Sequence, residues 1–441
     1  MQFKSFVAFV ATLLLTSTVS GQAMDWHNAE AVADAALERH PALATLAARI
    51  DAAEERTRAA GAYPNPMVMA GVQDQQIDLT RDEMMTMYMV GASQTIPRKG
   101  RRDALKRSAG LDVEQLRLEA RSLREELRRD VLFAYYDLAT ADSQTTATEQ
   151  LGAAVDAIVA AARFRYEVGT TIQADVIRAQ LQRSDIEHQL LTLGGRRRTA
   201  ASRLLAQLGL PVTTEIPRLH LAHATEAKAI DGVPTVPQDH PALASVATAV
   251  EQREQDIRLA KLIAKPDWNL EASYGMRPTQ KDMISVVARI ELPIRRQSVI
   301  EPQIRAAVAE RDAAAQQLDE VRRQLLEALG VAYVQHAEAT KQLQLHEQVL
   351  VPQSKLAFDS TLAAYQSGKE NFEAVLSTET AWLRLEIDYY DFLAQHIKAI
   401  TDFEAIQRGA RTGASGGGGM NVAPIATVPA GSSANAMSSM R

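Results

Sequence analysis

The chain contains no cysteine among its 441 residues. Disulfides, thiolate metal sites, a cysteine nucleophile and a lipid-modified N-terminal cysteine are therefore all excluded. Aromatic residues are also scarce, at 5% of the chain. Because long stretches consist of alanine, leucine and charged residues, we expect the core to lie along seams between helices rather than in one compact centre. This composition disfavours an ordinary globular enzyme.

A strong net charge is missing as well, since the formal charge is only −6 at pH 7. So mild a charge argues against a protein that binds nucleic acid. The sequence has no Ser-His-Asp order, no phosphate-binding loop and no zinc signature. We therefore predict no enzymatic activity and no cofactor.

Residues 1–23 have the pattern of a secretory signal peptide, with one lysine, an apolar run and small residues before Met24. The apolar run is shorter than the roughly 20 residues that a spanning helix needs, so we expect cleavage and export rather than anchoring. No later run reaches about 18 apolar residues. Any insertion into a membrane is therefore expected to use β-strands.

Four landmarks occur twice in the chain, about 200 residues apart and in the same order. They are His40-Pro41-Ala42-Leu43 with His240-Pro241-Ala242-Leu243, Pro66 with Pro266, Pro97 with Pro293, and the Tyr-x-x-Gly turns at 166–169 and 365–368. Such an order predicts a tandem repeat. We expect repeats at 24–209 and 239–408, a proline-containing linker at 210–238 and a disordered, glycine-rich tail at 409–441.

Each repeat is predicted to contain a helix, a β-hairpin and long helices. The hairpins are expected at 66–96 and 267–293, and the long helices at 100–145, 148–167, 172–208, 297–341, 343–366 and 370–408. The long helices carry apolar residues at the 4-3 spacing of a coiled coil.

The predicted strands alternate between apolar and polar residues. In the second hairpin Trp268, Leu270 and Tyr274 share one face, while Asn269 and Glu271 lie on the other. Strands of about 10 residues with this alternation are typical of membrane barrels, and a half-buried sheet of a soluble protein is the alternative. Four strands cannot close a barrel, since about eight are needed, so a membrane barrel requires several copies of the chain.

With these features the chain resembles the TolC family of outer-membrane efflux proteins from about residue 25 to 408. The resemblance rests on the paired His-Pro-Ala-Leu starts, the strand exit Ser93-Gln94-Thr95-Ile96-Pro97 followed by Gly100, and the duplicated Tyr-x-x-Gly turn. It implies a mainly α fold with a membrane β-barrel: a homotrimer whose 12-stranded β-barrel continues into a 12-helix α-barrel in the periplasm.

The resemblance also implies a function, namely the exit channel of a tripartite pump. The partners would be a periplasmic adaptor protein, a proton-driven inner-membrane transporter and outer-membrane lipid. The segment 94–102 is most similar to the heavy-metal efflux branch of the family. A drug-efflux channel of the same family, or a periplasmic adaptor with long helical hairpins, is the alternative.

The resemblance places the Tyr-x-x-Gly turns at the periplasmic helix tips, where the gate and the adaptor contact lie. The matching residues are Tyr166, Gly169, Asp175, Val176, Tyr365, Gly368 and Val375. Asp175 fits two roles, a carboxylate that complements a helix dipole or part of an acidic ring around the pore. The second turn departs from the family pattern, because its acids are Glu370 and Glu373.

Basic residues follow the second strand of each hairpin: Arg98, Lys99, Arg101, Arg102, Arg295 and Arg296. Cations at the start of a helix oppose its dipole, so a compensating partner is expected. We expect anionic lipid head groups or acids of a neighbouring subunit, with a solvated basic band as the alternative.

Six of the 13 methionines fall in the first predicted hairpin. Aligning the two hairpins places four of them on the polar, lumen-facing side: Met67, Met69, Met87 and Met89. Soft thioethers favour Cu(I) and similar ions, so these residues are candidate contacts for an exported metal. The alternative is that methionine serves as adaptable packing.

Overall fold

The computed structural model describes residues 24–73, 86–221, 230, 234–277 and 280–411. The predicted signal peptide and residues 412–441 of the predicted tail lie outside them, as do Met84 and Met85 of the first hairpin. The helices are α1 (Ala29–Arg39), α2 (Pro41–Ala60), α3 (Arg101–Glu167), α4 (Gln173–Leu208), α5 (Pro241–Leu262), α6 (Glu301–Leu345), α7 (Val351–Gln366) and α8 (Phe372–Arg408). The strands are β1 (Met67–Gln73), β2 (Met87–Ile96), β3 (Trp268–Met276) and β4 (Met283–Ile290).

The His-Pro-Ala-Leu segments begin α2 and α5. Nδ1 of His40 accepts a hydrogen bond from the backbone N–H of Ala42 at 3.3 Å, and Nδ1 of His240 accepts one from Ala242 at 3.2 Å. The proline after each histidine occupies the first helical position, where its missing N–H costs nothing. These segments are therefore helix-start signals.

Helix α3 runs for 67 residues without interruption, so the predicted break between 145 and 148 is wrong. The polar residues at this place stay helical because their hydroxyls bond back to carbonyls four residues earlier, as Thr145 does to Ala141 at 2.7 Å. At about 1.5 Å per residue α3 is roughly 100 Å long. Among the described residues, no helix is both long enough and apolar enough to cross a membrane.

The second half of the chain does contain an irregularity at the corresponding place. A π-helical turn at His346–Leu350 separates α6 from α7, a few residues after the break predicted at 341–343. Pro352 is the second residue of α7, and its missing N–H removes one bond of the regular α-helical ladder. A second π-helical turn, Arg296–Ile300, precedes α6.

The four strands form one antiparallel sheet in the order β1-β2-β3-β4, in which the two hairpins lie side by side through the β2–β3 pairing. The register divides the sheet into two faces. One face is apolar apart from Gln94 and consists of Val68, Ala70, Val72, Tyr88, Val90, Ala92, Ile96, Trp268, Leu270, Ala272, Tyr274, Met276, Ile284, Val286, Ala288 and Ile290. The other, here called the polar face, includes Ser93, Thr95, Asn269, Glu271, Ser273, Ser285 and Arg289.

The buried residues follow the helix seams. The largest cluster joins α1, α3, α4, α6 and α8, and it includes Ile216, Leu219 and Leu221 of the segment predicted as a linker. A second cluster lies beneath the Tyr-x-x-Gly turns, and a third joins α5, α6 and α8. The described part of 210–238 is irregular, as expected, but apolar side chains of residues 216–221 pack against the helices.

Candidate functional site

The two Tyr-x-x-Gly turns close α3 and α7 in the same way. Gly169 and Gly368 adopt positive φ angles of 73° and 77°. In each turn the residue after the glycine donates its N–H to a carbonyl five residues earlier, Thr170 to Arg165 at 2.8 Å and Lys369 to Ala364 at 2.9 Å. This is the Schellman arrangement, in which glycine avoids the steric cost of the left-handed conformation.

The tyrosines of the two turns differ in environment. Tyr166 is 47% exposed, whereas Tyr365 is 1% exposed. The guanidinium of Arg165 lies 4.4 Å above the ring centre of Tyr365 and also donates to the Tyr365 carbonyl. Burial raises the pKa of Tyr365 above its ordinary value. Arg165 thus connects the end of α3 to the end of α7.

Two acids of the turns, Asp175 and Glu373, lie near the same arginine. Asp175, the third residue of α4, accepts a hydrogen bond from the Thr171 hydroxyl. Arg178 lies 3.8 Å from Asp175 and 3.8 Å from Glu373 of α8. Asp175 therefore has the position of a helix-start carboxylate, and Arg178 connects the starts of α4 and α8. Glu370 is exposed and lies on the α7–α8 turn.

Val375 is fully buried in the apolar cluster beneath the turns, with Val176 packed against that cluster. The two arginines were missed by the sequence reading, although Arg165 lies inside the Phe-Arg-Tyr-Glu-Val-Gly motif and Arg178 follows Asp175 at helical spacing. Which helix receives each arginine depends on the packing of α3 and α4 against α7 and α8, which local spacing does not specify.

Replacing Gly368 by alanine is expected to cost about 1–2 kcal/mol, because an alanine must adopt φ near +77°. An added Cβ would meet its nearest atom, Nη2 of Arg165, at 3.9 Å, so the cost is backbone strain rather than a clash. We expect faster tryptic cleavage after Lys369 in the loosened turn. The matched control is Gly330→Ala in the interior of α6, which is expected to stabilise its helix by up to about 1 kcal/mol. Equal rates of cleavage after Lys369 in the two variants would contradict the view that the turn needs glycine at 368.

The basic residues at the sheet–helix junction are partly engaged within the chain. Nε of Arg98 lies 2.8 Å from Asp267 just before β3, and its backbone N–H donates to the same carboxylate at 2.7 Å. Arg101 also reaches Asp267, at 3.0 Å. Asp267, which the β2–β3 pairing brings alongside, therefore supplies a partner for Arg98 and Arg101 within the chain. Contact of these residues with lipid or a neighbouring subunit stays a prediction.

The other basic residues divide into two groups. Arg102 donates to the carbonyl of Gly61 at 2.7 Å and lies 3.7 Å above the ring centre of Tyr63. Lys99, Arg295 and Arg296 are exposed. These three remain candidates for contact with a membrane surface.

The register places Met67, Met69, Met87 and Met89 on the polar face, the side expected from aligning the hairpins. That this face lines a lumen stays a prediction. Met283 joins the same face from β4, a residue that the sequence reading did not single out because it belongs to the other hairpin. Glu271 and Arg289 form an ion pair on this face.

Among the described residues, no group of three or more histidine, aspartate or glutamate side chains is arranged to hold a metal ion. The polar face offers thioether sulfurs instead. The sulfurs belong to paired strands, so their arrangement follows from the hairpin–hairpin register and not from either hairpin alone.

Comparison with known proteins gives a consistent result. Residues 32–210 and 234–404 match the family described as outer membrane efflux protein. The cobalt-zinc-cadmium resistance protein CzcC of Cupriavidus metallidurans is 23% identical over 82% of this chain and 86% of its own length. The outer-membrane channel OprN has a TM-score of 0.75 at 17% identity, covering 87% of this chain and 91% of its own. The solved structure of CusC has a TM-score of 0.74 at 14% identity, covering 87% and 92%.

Proposed function

This chain belongs to the outer membrane efflux protein family, and from that premise we propose that it is the outer-membrane exit channel of a tripartite pump for metal cations. The family is one of channels, so the chain is not an enzyme. It conducts its cargo passively, and the energy comes from an inner-membrane transporter that engages it through a periplasmic adaptor. No nucleotide-binding motif is present in the sequence.

The observation that carries this proposal is a sheet whose apolar face is exposed. Val68, Ile284 and Val286 are 79%, 77% and 76% exposed. Apart from Gln94, the polar side chains of the strands lie on the opposite face, together with five methionines. An apolar surface of this kind is stable against lipid. The four strands are continued by long helices at one end. An adaptor protein does not need two such hairpins, which weighs against that alternative.

Closure of the sheet requires further copies of the chain. Within the described residues β1 and β4 each pair on one side only, and open edges are not tolerated in lipid. Three chains would supply twelve strands and close them into one barrel, with the long helices as a tube in the periplasm. The exposed Lys99, Arg295 and Arg296, at the helix end of the sheet, would then face anionic lipid head groups.

The helix tips form the gate and the adaptor contact in this proposal. Arg165 and Arg178 connect α3 and α4 to α7 and α8 at the turns. An iris-like opening moves these pairs of helices apart, so both contacts must break when the channel opens. The exposed Tyr166, Glu370 and Glu373 are available to the adaptor.

Metal cations are the proposed cargo because the segment 94–102 is most similar to the heavy-metal branch and because CzcC is by name a cobalt-zinc-cadmium resistance protein. The test is a strain that lacks only this chain, exposed to copper, silver, zinc, cobalt, cadmium and several organic drugs. We expect lower tolerance to one or more metals, restored by the wild-type chain. Sensitivity to drugs alone would make the chain a drug-efflux channel of the same family.

A further inference from the structure

The strand register places three methionines around Gly275 at one end of the sheet. Gly275 of β3 pairs with Met89 of β2 on one side and with Met283 of β4 on the other. The third, Met87, extends across the same glycine: a Cβ on Gly275 would overlap the Met87 sulfur. All three side chains lie on the polar face, because directly paired residues share a face and so do residues two apart on one strand.

Glycine is what leaves room for the sulfurs. Adjacent strands are about 4.8 Å apart, so Met89 and Met283 flank a gap over β3 that any larger side chain at 275 would fill. Each methionine has three rotatable bonds and can direct its sulfur into that gap. Met87 already occupies it.

The three methionines and Gly275 lie at one end of their strands. Met87 is the first residue of β2, Met283 is the first of β4, and Gly275 is next to the last of β3. The helices attach at the opposite end of the strands. The cluster therefore lies at the hairpin-turn end, which is the outer end of the channel in the proposed function.

Resting on that proposed function, we propose that Met87, Met89 and Met283 form a thioether site for a soft monovalent cation, Cu(I) or Ag(I), on the exit path. Thioether sulfur favours soft ions, whereas Zn(II) and Co(II) prefer imidazole or carboxylate ligands. The three thioether ligands of the site carry no charge. The cargo class is thereby narrowed from metal cations to soft monovalent ones.

The test uses the full-length protein purified in detergent and titrated with Ag(I) in chloride-free buffer, with Zn(II) as the comparison ion. The triple variant Met87→Leu/Met89→Leu/Met283→Leu is expected to bind Ag(I) at least about ten-fold more weakly than wild type. Met276→Leu is the matched control, since Met276 neighbours Gly275 but lies on the apolar face; its affinity should be unchanged. Zn(II) should bind all three proteins alike.

A second variant guards against an indirect effect of the leucines. Gly275→Ala keeps every sulfur but places a methyl group where the Met87 sulfur lies, and we expect it to weaken Ag(I) binding as well. Ag(I) binding that survives in the triple variant would overturn the site.

Measurements of metal tolerance in strains that carry these variants distinguish an error in the thioether site from an error in the proposed function. If the site is right, the triple variant lowers silver and copper tolerance but leaves zinc, cobalt and cadmium tolerance at the wild-type level. A triple variant that behaves as wild type for silver and copper overturns the site while leaving the channel intact. A deletion strain with unchanged tolerance to every metal overturns the proposed cargo, whatever the purified protein binds.

Discussion

Replacing Asp142 by alanine is expected to destabilise the protein by about 3 kcal/mol. Asp142 of α3 is 1% exposed, and its carboxylate lies 2.6 Å from Nε of Arg197 on α4. Its second oxygen accepts the backbone N–H of Leu219 at 2.9 Å. The alanine leaves both donors without this acceptor, which costs far more than an exposed ion pair contributes. The same change frees the segment 216–221 from the helices.

The matched control is Glu149→Ala. Glu149 also belongs to α3 and pairs with the same segment, through Arg218 at 2.8 Å, but both side chains are substantially exposed. Its loss should cost no more than about 1 kcal/mol, because solvent screens the pair. Thermal unfolding of the purified protein, followed by circular dichroism, compares the two variants. Similar midpoints for Asp142→Ala and Glu149→Ala would show that burial does not govern this contact.

The second large effect is a pH dependence at Glu379 on α8. Glu379 is fully buried. Nε2 of Gln182 donates to its Oε2 at 2.6 Å, and Oε1 has no hydrogen-bond partner among the described residues. Burial is the main cause that raises the pKa of Glu379 from 4.5 to about 7. The folded tip therefore favours the protonated carboxyl.

Proton linkage determines in which direction the stability of the tip changes with pH. The pKa of Glu379 is higher in the folded state than in the unfolded state. The stability that the protonated carboxyl contributes is therefore fully present below pH 4.5 and is lost as pH rises through about 7. Glu379→Gln removes the titration and is expected to stabilise the tip at pH 8 by on the order of 3 kcal/mol. Hydrogen exchange of α8 amides at pH 5 and pH 8 measures it, after correction for the intrinsic exchange rate. Glu370→Gln, at an exposed position of the α7–α8 turn, should leave the pH dependence unchanged. A wild-type tip equally protected at both pH values would refute the linkage.

Local features of the sequence predicted most of the fold. The period-two alternation identified the faces of Trp268 and its neighbours, because a strand fixes which side chains share a face. Gly169 and Gly368 marked the helix ends, since a positive φ angle is a local requirement. Each of these patterns is contained in a few consecutive residues, and the structure agrees with both predictions.

Features that depend on how the halves of the chain pack could not be predicted in the same way. The Arg98–Asp267 pair and the meeting of Met87 with Gly275 both require the β2–β3 pairing, which joins segments about 170–190 residues apart. The burial of Glu379 requires α4 to lie beside α8. The predicted break in α3 is wrong, because hydroxyls at this place, such as that of Thr145, bond to the helix backbone and the helix continues through them.

The central claim is that the sheet crosses a membrane with its polar face toward a water-filled path. Because the chain contains no cysteine, a single introduced thiol reports on one position without background. Ser285 and Val286 are neighbours on β4 and lie on opposite faces. In outer-membrane preparations, a membrane-impermeant maleimide is expected to modify Ser285→Cys and to leave Val286→Cys unmodified until the membrane is dissolved. Rapid modification of Val286→Cys in intact membranes would place the apolar face in water and contradict the account.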